Sequence, residues 1–289
     1  MHVLECLSCM TKTAAFCSHF VVNYTENDID MTSSESPHPH PWQAMARRRN
    51  VRQKIVQSLP QIINAFPQRS SVKSCVMIGC GQGGTELEFV SRCLPNVEKL
   101  TAVEPDAHEL AALKTRVGQL LQNVGTEFCH ETAQSWKGAD QPFDAVLLFH
   151  CLYYIPQSER AALFEKLFDK VLVKGGLVFI IASPINPENP GMICKLIGLL
   201  GLWSYSVIDF VDVIQLRDML TSVGFRHGYR LPIEYQVYAE KPNDDMMMWF
   251  VYWSKGTLSL EEAREKVTEL LAGEKCLPED MVFDVFQKP

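Results

Sequence analysis

Four glycines within six residues constrain this chain more than any other feature. Gly79-Cys-Gly81-Gln-Gly83-Gly84 follows a short apolar run, Cys75-Val-Met-Ile78, and precedes a helical pattern that sets Leu87, Val90, Ser91 and Leu94 on one face. A brief apolar run bounded by glycine reads as a buried strand. Glycine accepts backbone angles closed to other residues, so the chain turns tightly there and approaches closely whatever it holds. The same turn presents backbone N–H groups at a helix start, where polar and anionic ligands are stabilised. A second strand pattern, Lys99-Leu-Thr-Ala-Val103, ends at Glu104-Pro105, twenty residues beyond Gly84. A carboxylate at the end of that strand binds both hydroxyls of a ribose. Loop and acid together point to a cofactor built on adenosine. They fit two such cofactors, because Gly79-x-Gly81-x-x-Gly84 with Glu104 also satisfies the dinucleotide fingerprint.

The pattern continues as strands alternating with helices. Asp106 to Leu121 reads as a helix with an acidic N-cap, which suits the positive helix start. Thr126 to His130 and Phe143 to Phe149 read as strands, Ser158 to Leu172 as an amphipathic helix, Lys174-Gly175-Gly176 as a turn, and Leu177 to Ala182 as a fifth strand. Beyond 183, Pro184, Pro187 and Pro190 mark a loop, followed by helical patterns over 191–203 and over 212–223, the latter closed by Gly224-Phe225. Arg226 to Tyr238 reads as a strand, 244–254 and 259–272 as helices, and Met281 to Phe286 as the last strand. The expected fold is α/β: a doubly wound, seven-stranded, mostly parallel sheet with helices on both faces. Ahead of it, Val51, Ile55, Leu59, Ile62, Ile63 and Phe66 recur at helical spacing, with Pro60 predicting a kink or break. Residues 24–41 are polar, Pro/Ser-rich and unperiodic, so 1–41 is expected to be a flexible arm and 42–289 one domain. Insertions at about 42–66, 184–212 and 239–273 are expected to cover the substrate. Within the last, the aromatic and Met-rich run over 244–253 reads as a core helix face or an adaptable pocket wall.

Composition sets the outer bounds. With 289 residues, 47% hydrophobic and 21% charged, the chain has ample material for a core. A net charge of −7, with no basic run longer than Arg47-Arg48-Arg49, is a poor basis for nucleic-acid binding. The ten cysteines are scattered, and Cys75, Cys80, Cys129 and Cys151 sit in apolar runs, which suits a reducing compartment. Cys6-x-x-Cys9 lacks a second half at zinc spacing, so no metal is expected. Met1 to Phe20 has no basic start or clean apolar stretch, and Leu196 to Trp203 is too short to span a bilayer. A cytoplasmic protein without membrane partners, and a monomer, is the expectation.

Later landmarks separate the two cofactors. The run from Phe143 to Ile155, FDAVLLFHCLYYI, the Lys174-Gly-Gly176 turn and Gly224-Phe225, in this order after the glycine loop, resemble class I S-adenosylmethionine-dependent methyltransferases. Within that superfamily the set MIGCGQGGTELEF, AVEP, HET, FHCLYYIP and LPQII is similar to the histamine N-methyltransferase family, over roughly residues 50–286. Most class I enzymes carry an acid two positions before the first loop glycine. Here that position is Met77, and the histamine methyltransferase pattern lacks the acid too. The resemblance implies S-adenosylmethionine as cofactor, with contacts at Gly79 and Gly81, Glu104 on the ribose, and His108 or Glu109 just beyond. It also implies Thr132 and Ala133 beside the adenine and Phe149 completing the site.

On the acceptor side, Phe149, His150, Tyr153 and Tyr154 follow the strand that ends at the sheet centre, where ligands sit in doubly wound folds. His150, Tyr153 and Tyr154 are the candidate catalytic residues, with aromatic faces suited to a sulfonium or a cationic amine. The family usually has Gln where His150 stands. Its amine-holding Glu falls near Arg47, a cation, when aligned on Leu59-Pro60-Gln-Ile-Ile63. A family Asn has its counterpart around Asp284 or Val285, and Asp284 offers the negative charge that Arg47 does not. The tryptophans expected after strand five are absent, although Trp203 is close. Candidate substrate contacts are therefore Arg47, Tyr154 and Asp284. The expected reaction is methyl transfer to a nitrogen of a small amine or imidazole. Methylation of a phenol or carboxylate, and a catalytically silent cofactor-binding protein, are the alternatives.

Overall fold

The computed structural model describes residues 50–183, 211–238, 259–271 and 276–289. The arm at 1–41, Arg47, Trp203, the helical pattern at 191–203 and the Met-rich run at 244–253 lie outside them. In chain order the elements are α1 (Val51–Ala65), β1 (Ser74–Ile78), α2 (Glu86–Cys93), β2 (Lys99–Val103), α3 (Ala107–Leu120), β3 (Gly125–Cys129) and β4 (Phe143–Phe149). There follow α4 (Gln157–Lys166), β5 (Leu172–Ala182), α5 (Val213–Val223), β6 (Arg226–Tyr238), α6 (Leu260–Leu271) and β7 (Cys276–Gln287).

Apolar strands that are buried on both faces need helices on both sides, and they get them here. The seven strands lie in the order β3-β2-β1-β4-β5-β7-β6. β1 pairs in parallel with β2 and β4, β2 with β3, and β4 with β5, while β7 runs antiparallel between β5 and β6. One face carries Cys75, Met77, Leu147, Phe149, Phe179 and Phe283 against α1, α2, α3 and α6. The other carries Val76, Ile78, Val146, Leu148, Ile180 and Phe286 against α4 and α5. Successive strand residues alternate between these two cores, as the pleat requires.

The expected seven-stranded, mostly parallel architecture is the one observed, and four local expectations are corrected. Pro60 lies inside α1 without ending it. Proline removes one helical N–H bond, but Ile55, Leu59 and Ile62 stay buried on the sheet while Pro60 faces out. Ser91 is exposed, and Phe89 and Cys93 join Leu87 and Val90 in the core instead. The helix at 157–166 stops short of Leu172 through a π turn at Leu167–Val171, because Leu172 already pairs with Phe143. The Lys174–Gly176 turn is therefore a bulge within β5, where register jumps from Phe143↔Leu172 to Ala145↔Leu177 and Gly175 takes φ +81°.

The β6–β7 hairpin is locked by a buried ion pair. Asp284, 0% exposed, accepts from Arg230 Nε at 2.8 Å and Nη2 at 2.8 Å, and His227 Nε2 lies 3.1 Å from its Oδ1. Arg230 Nη2 also donates to the Val213 carbonyl at 3.1 Å, which ties the start of α5 to the hairpin. Bidentate bonding to Asp284 holds the Arg230 guanidinium above its ordinary pKa. Removing the charge of one buried partner costs more than the pair contributes, because the other is left uncompensated. Asp284→Asn should lower unfolding stability by about 3 kcal/mol, the low end for a buried pair since Arg230 reaches solvent. Chemical denaturation measures this.

Candidate active site

The glycine loop leaves β1 at Ile78 and is pinned at once, with Gly79 N–H donating to the Val103 carbonyl at 2.8 Å. Gly79, Gly81 and Gly83 take φ of +61°, +50° and +68°, the left-handed region that favours glycine. Space excludes a side chain as well. A Cβ on Gly79 would stand 2.6 Å from Cys151 Cβ, and one on Gly83 would stand 2.3 Å from Leu113 Cδ1. The loop closes when Gly83 N–H reaches the Cys80 carbonyl at 2.8 Å, and α2 begins as Leu87 N–H bonds the Gly83 carbonyl at 3.0 Å.

Glu104 joins this loop to the next strand. Its Oε2 accepts Gly81 N–H at 2.7 Å and its Oε1 accepts Asp106 N–H at 3.1 Å. Each carboxylate oxygen can take a second donor, and two vicinal hydroxyls would supply it. Burial pushes the Glu104 carboxyl above the usual range, while the two amides oppose that. Asp106 caps α3 by accepting His108 N–H at 2.8 Å and Glu109 N–H at 3.0 Å. Of the two candidates beyond Glu104, Glu109 faces the loop. Its Oε1 accepts from Gln82 Nε2 at 3.3 Å, and its Oε2 is 3.5 Å from where a Gly81 Cβ would sit. His108 is exposed.

Thr132 and Ala133 lie beyond β3, beside the end of β2. Thr132 closes a turn, accepting Ser135 N–H on Oγ1 at 3.0 Å and Trp136 N–H on its carbonyl at 3.0 Å. The Lys166 ammonium bonds the Trp136 carbonyl at 2.8 Å and the Ala133 carbonyl from behind. His130 Nε2 donates to the Pro105 carbonyl at 2.8 Å, which links the two strand ends. A shelf of this kind can flank a flat base next to Glu104.

At the end of β4 the backbone is strained. His150 is the non-glycine residue with positive φ, +54°, among the described residues. Left-handed backbone costs about 1–2 kcal/mol for a residue with a Cβ, so the surrounding structure must enforce it. His150 N–H donates to the Ile181 carbonyl at 2.8 Å, and the Tyr153 hydroxyl stands 3.4 Å from His150 Nδ1 while accepting Ser183 N–H. The His150 and Tyr153 rings stack at 28°, and Tyr154, 55% exposed, meets Tyr153 edge-on. The structure thus brings His150, Tyr153 and Tyr154 into one cluster at the sheet centre.

Other candidates fall elsewhere. The Phe149 ring is buried against Phe89 and Phe283, so it supports the strand end from within the core. Cys151, read from sequence as a core residue, is what meets the glycine loop. Asp284 belongs to the opposite face of the sheet from Phe149 and is committed to Arg230 and His227, so its charge is already spent within the fold. Arg47 lies outside the described residues. No group of three or more His, Cys, Asp or Glu suited to a metal occurs among the described residues, and none of their helices is long and apolar enough to cross a membrane.

One residue escaped the sequence reading. Glu86, in the first turn of α2, is 7% exposed. Burial pushes its carboxyl up to about 8, and the charge of Glu104 adds to that. In sequence it is an ordinary first-turn acid, and nothing local distinguishes it from Glu88. The free protein should carry the cost of charging it. An acid with a raised folded-state pKa binds more protons folded than unfolded, so stability falls as pH rises from about 4.5 to about 8. Glu86→Gln should flatten that fall, measured as melting temperature against pH.

Residues 76–176, from β1 through the bulge of β5, match the family model described as a methyltransferase domain. No curated protein matches the chain. Among solved structures, a putative methyltransferase from Bacillus halodurans is 14% identical, with a TM-score of 0.57 over 78% of this chain and 98% of its own. The YcgJ protein of Bacillus subtilis is 15% identical, with a TM-score of 0.54 over 80% of this chain and 98% of its own. Mycolic acid cyclopropane synthase CmaA1, complexed with SAH and CTAB, is 12% identical, with a TM-score of 0.51 over 80% of this chain and 85% of its own. At these identities the likeness is one of fold, the Rossmann-like class I methyltransferase fold. The domain match covers the glycine loop, Glu104 and the end of β4.

Proposed function

We propose that the chain transfers a methyl group from S-adenosylmethionine to a nitrogen of a small, histamine-like amine or imidazole. The observation that carries the cofactor half is Glu104, held by the Gly81 and Asp106 amides beside three left-handed glycines. The dinucleotide alternative has the usual strand order 3-2-1-4-5-6. The antiparallel β7 between β5 and β6 departs from it and speaks for the methyltransferase.

The bound cofactor supplies a methyl group already activated on a sulfonium. The chain aligns and desolvates. The loop from Gly79 to Gly83 lets the ligand approach the backbone, Glu104 accepts the ribose hydroxyls, and the Thr132–Ala133 shelf flanks the base. His150, Tyr153 and Tyr154 line the acceptor side, where orientation and exclusion of water do most of the catalytic work. The acceptor nitrogen's lone pair forms the new N–C bond as the S–C bond breaks toward a neutral thioether. One proton then leaves to solvent, from the methylated nitrogen of an amine or from the other ring nitrogen of an imidazole. With Asp284 committed to Arg230, an ammonium finds no partner there, which favours a nitrogen that is neutral at pH 7, such as an imidazole titrating near ~6.5.

Glu104→Ala should weaken S-adenosylmethionine binding by about 1.5–3 kcal/mol, or about 10- to 150-fold, since it removes hydrogen bonds to a charged group. Calorimetric titration reads it. Tyr154→Ala should cut turnover far more than cofactor affinity, because it disturbs acceptor alignment and leaves the loop intact. Steady-state kinetics alongside cofactor titration separates the two. The reaction itself is tested with labelled S-adenosylmethionine against biogenic amines, imidazoles and phenols. Label on an imidazole or amine nitrogen is expected, and label only on phenols would overturn the acceptor class.

A further inference from the structure

We infer that Lys166 of α4 is a positioning residue for the cofactor's base, holding the backbone of the 132–136 shelf in the orientation that selects adenine. The inference rests on the proposal that this site holds S-adenosylmethionine, and it gives part of that recognition to a side chain that acts through the shelf from behind.

The shelf is closed internally by Thr132, which accepts the Ser135 N–H on its hydroxyl and the Trp136 N–H on its carbonyl. Its side-chain tethers come from α4. The half-buried Lys166 ammonium reaches three carbonyls of this one turn, those of Ala133 at 2.5 Å, Trp136 at 2.8 Å and Gln134 at 3.4 Å. An ammonium has three N–H donors and no acceptor, which matches three carbonyls converging on one point. The same ammonium stands 6.0 Å from the centroid of the Trp136 ring, which is buried beside Phe143. Glu159, two helical turns earlier on the same face of α4, accepts from Gln134 Nε2 at 2.9 Å. On the other side, His130 bonds the Pro105 carbonyl, so the turn stands beside the strand end that carries Glu104.

A clamp on the carbonyls fixes the amides. A trans peptide is planar, with its C=O and N–H pointing opposite ways. With the Ala133 carbonyl turned to Lys166, the Gln134 N–H of the same peptide unit points away from α4. Neither it nor the Ala133 N–H meets an acceptor among the described residues. Adenine presents an acceptor at N1 and a donor at its 6-amino group. Hypoxanthine reverses both, with a donor at N1 and a 6-oxo acceptor. Backbone groups held in one direction tell these edges apart, because the wrong edge leaves polar groups unpaired. Released from Lys166, the peptide units of the turn are free to rotate, and the discrimination is lost with them.

The test is calorimetric titration of the full chain with S-adenosylhomocysteine and with S-inosylhomocysteine, which differ only at the 6-position edge of the base. The unmodified protein should prefer the adenine ligand by about tenfold or more. Lys166→Met keeps the reach of the side chain and removes its donors. It should raise the Kd of S-adenosylhomocysteine about tenfold and that of S-inosylhomocysteine by less than about twofold, so that the preference falls toward one. Lys166→Arg keeps the charge, but a planar fork does not match three converging carbonyls, so it should retain only part of the preference. Lys166 serving only to pack α4 would weaken both ligands alike. That equal loss, a preference unchanged in either variant, or no preference in the unmodified chain overturns the inference. Should Lys166→Met not fold, Lys166→Arg decides by the same ratio. A chain that binds neither S-adenosylmethionine nor S-adenosylhomocysteine would instead overturn the cofactor reading beneath it.

Discussion

The site depends on one carboxylate shared between two backbone segments. Glu104 accepts the amide of Gly81 on one oxygen and that of Asp106 on the other. The first bond fixes the glycine loop leaving β1, and the second fixes the turn into α3. Asp106 then caps α3, and α3 places Leu113 against Gly83, so the loop is gripped from both ends. None of this works unless β1 and β2 are adjacent and in register, and Ile78 does pair with Val103. The parallel pairing at the centre of the sheet brings the two strand ends, and with them the loop and the acid, to one place.

Charge placement divides the molecule into two kinds of buried acid. On the α4–α5 face, Asp284 is neutralised by a bidentate arginine and serves the fold. Around the glycine loop, Glu104 and Glu86 are held without a paired cation, and burial raises both. Buried charge left uncompensated is costly in a stable fold and is found where a ligand completes the balance. The strained backbone of His150 lies at the same end of the sheet, at the terminus of β4, and strain of this sort also collects at functional sites.

Much of this was legible in sequence. The strands from Cys75, Lys99 and Phe143 are apolar on both faces, so short apolar runs mark them unambiguously, and the glycines and Asp106 punctuate them at the places where the chain turns. What was hidden is tertiary. Leu172 leaves its helix early because Phe143 is waiting to pair with it. Pro60 is carried through α1 by sheet packing on either side. Phe149 and Cys151 differ by two positions and look alike as apolar residues, yet the loop meets Cys151 while Phe149 is buried among aromatic rings. Asp284 carries a charge that invites an amine, but only cross-strand register shows that Arg230 has already taken it. Glu86 looked like any helix-start acid because its burial comes from elements distant in sequence.

The central claim is that this loop and Glu104 hold the adenosine of a methyl donor and not that of a nicotinamide dinucleotide. Equilibrium dialysis of labelled S-adenosylmethionine against the full chain, with NAD and S-adenosylhomocysteine as competitors, tests it most directly. The account predicts saturable binding of one equivalent, displaced by S-adenosylhomocysteine and untouched by NAD. Saturable binding of NAD, with none of S-adenosylmethionine, would contradict it.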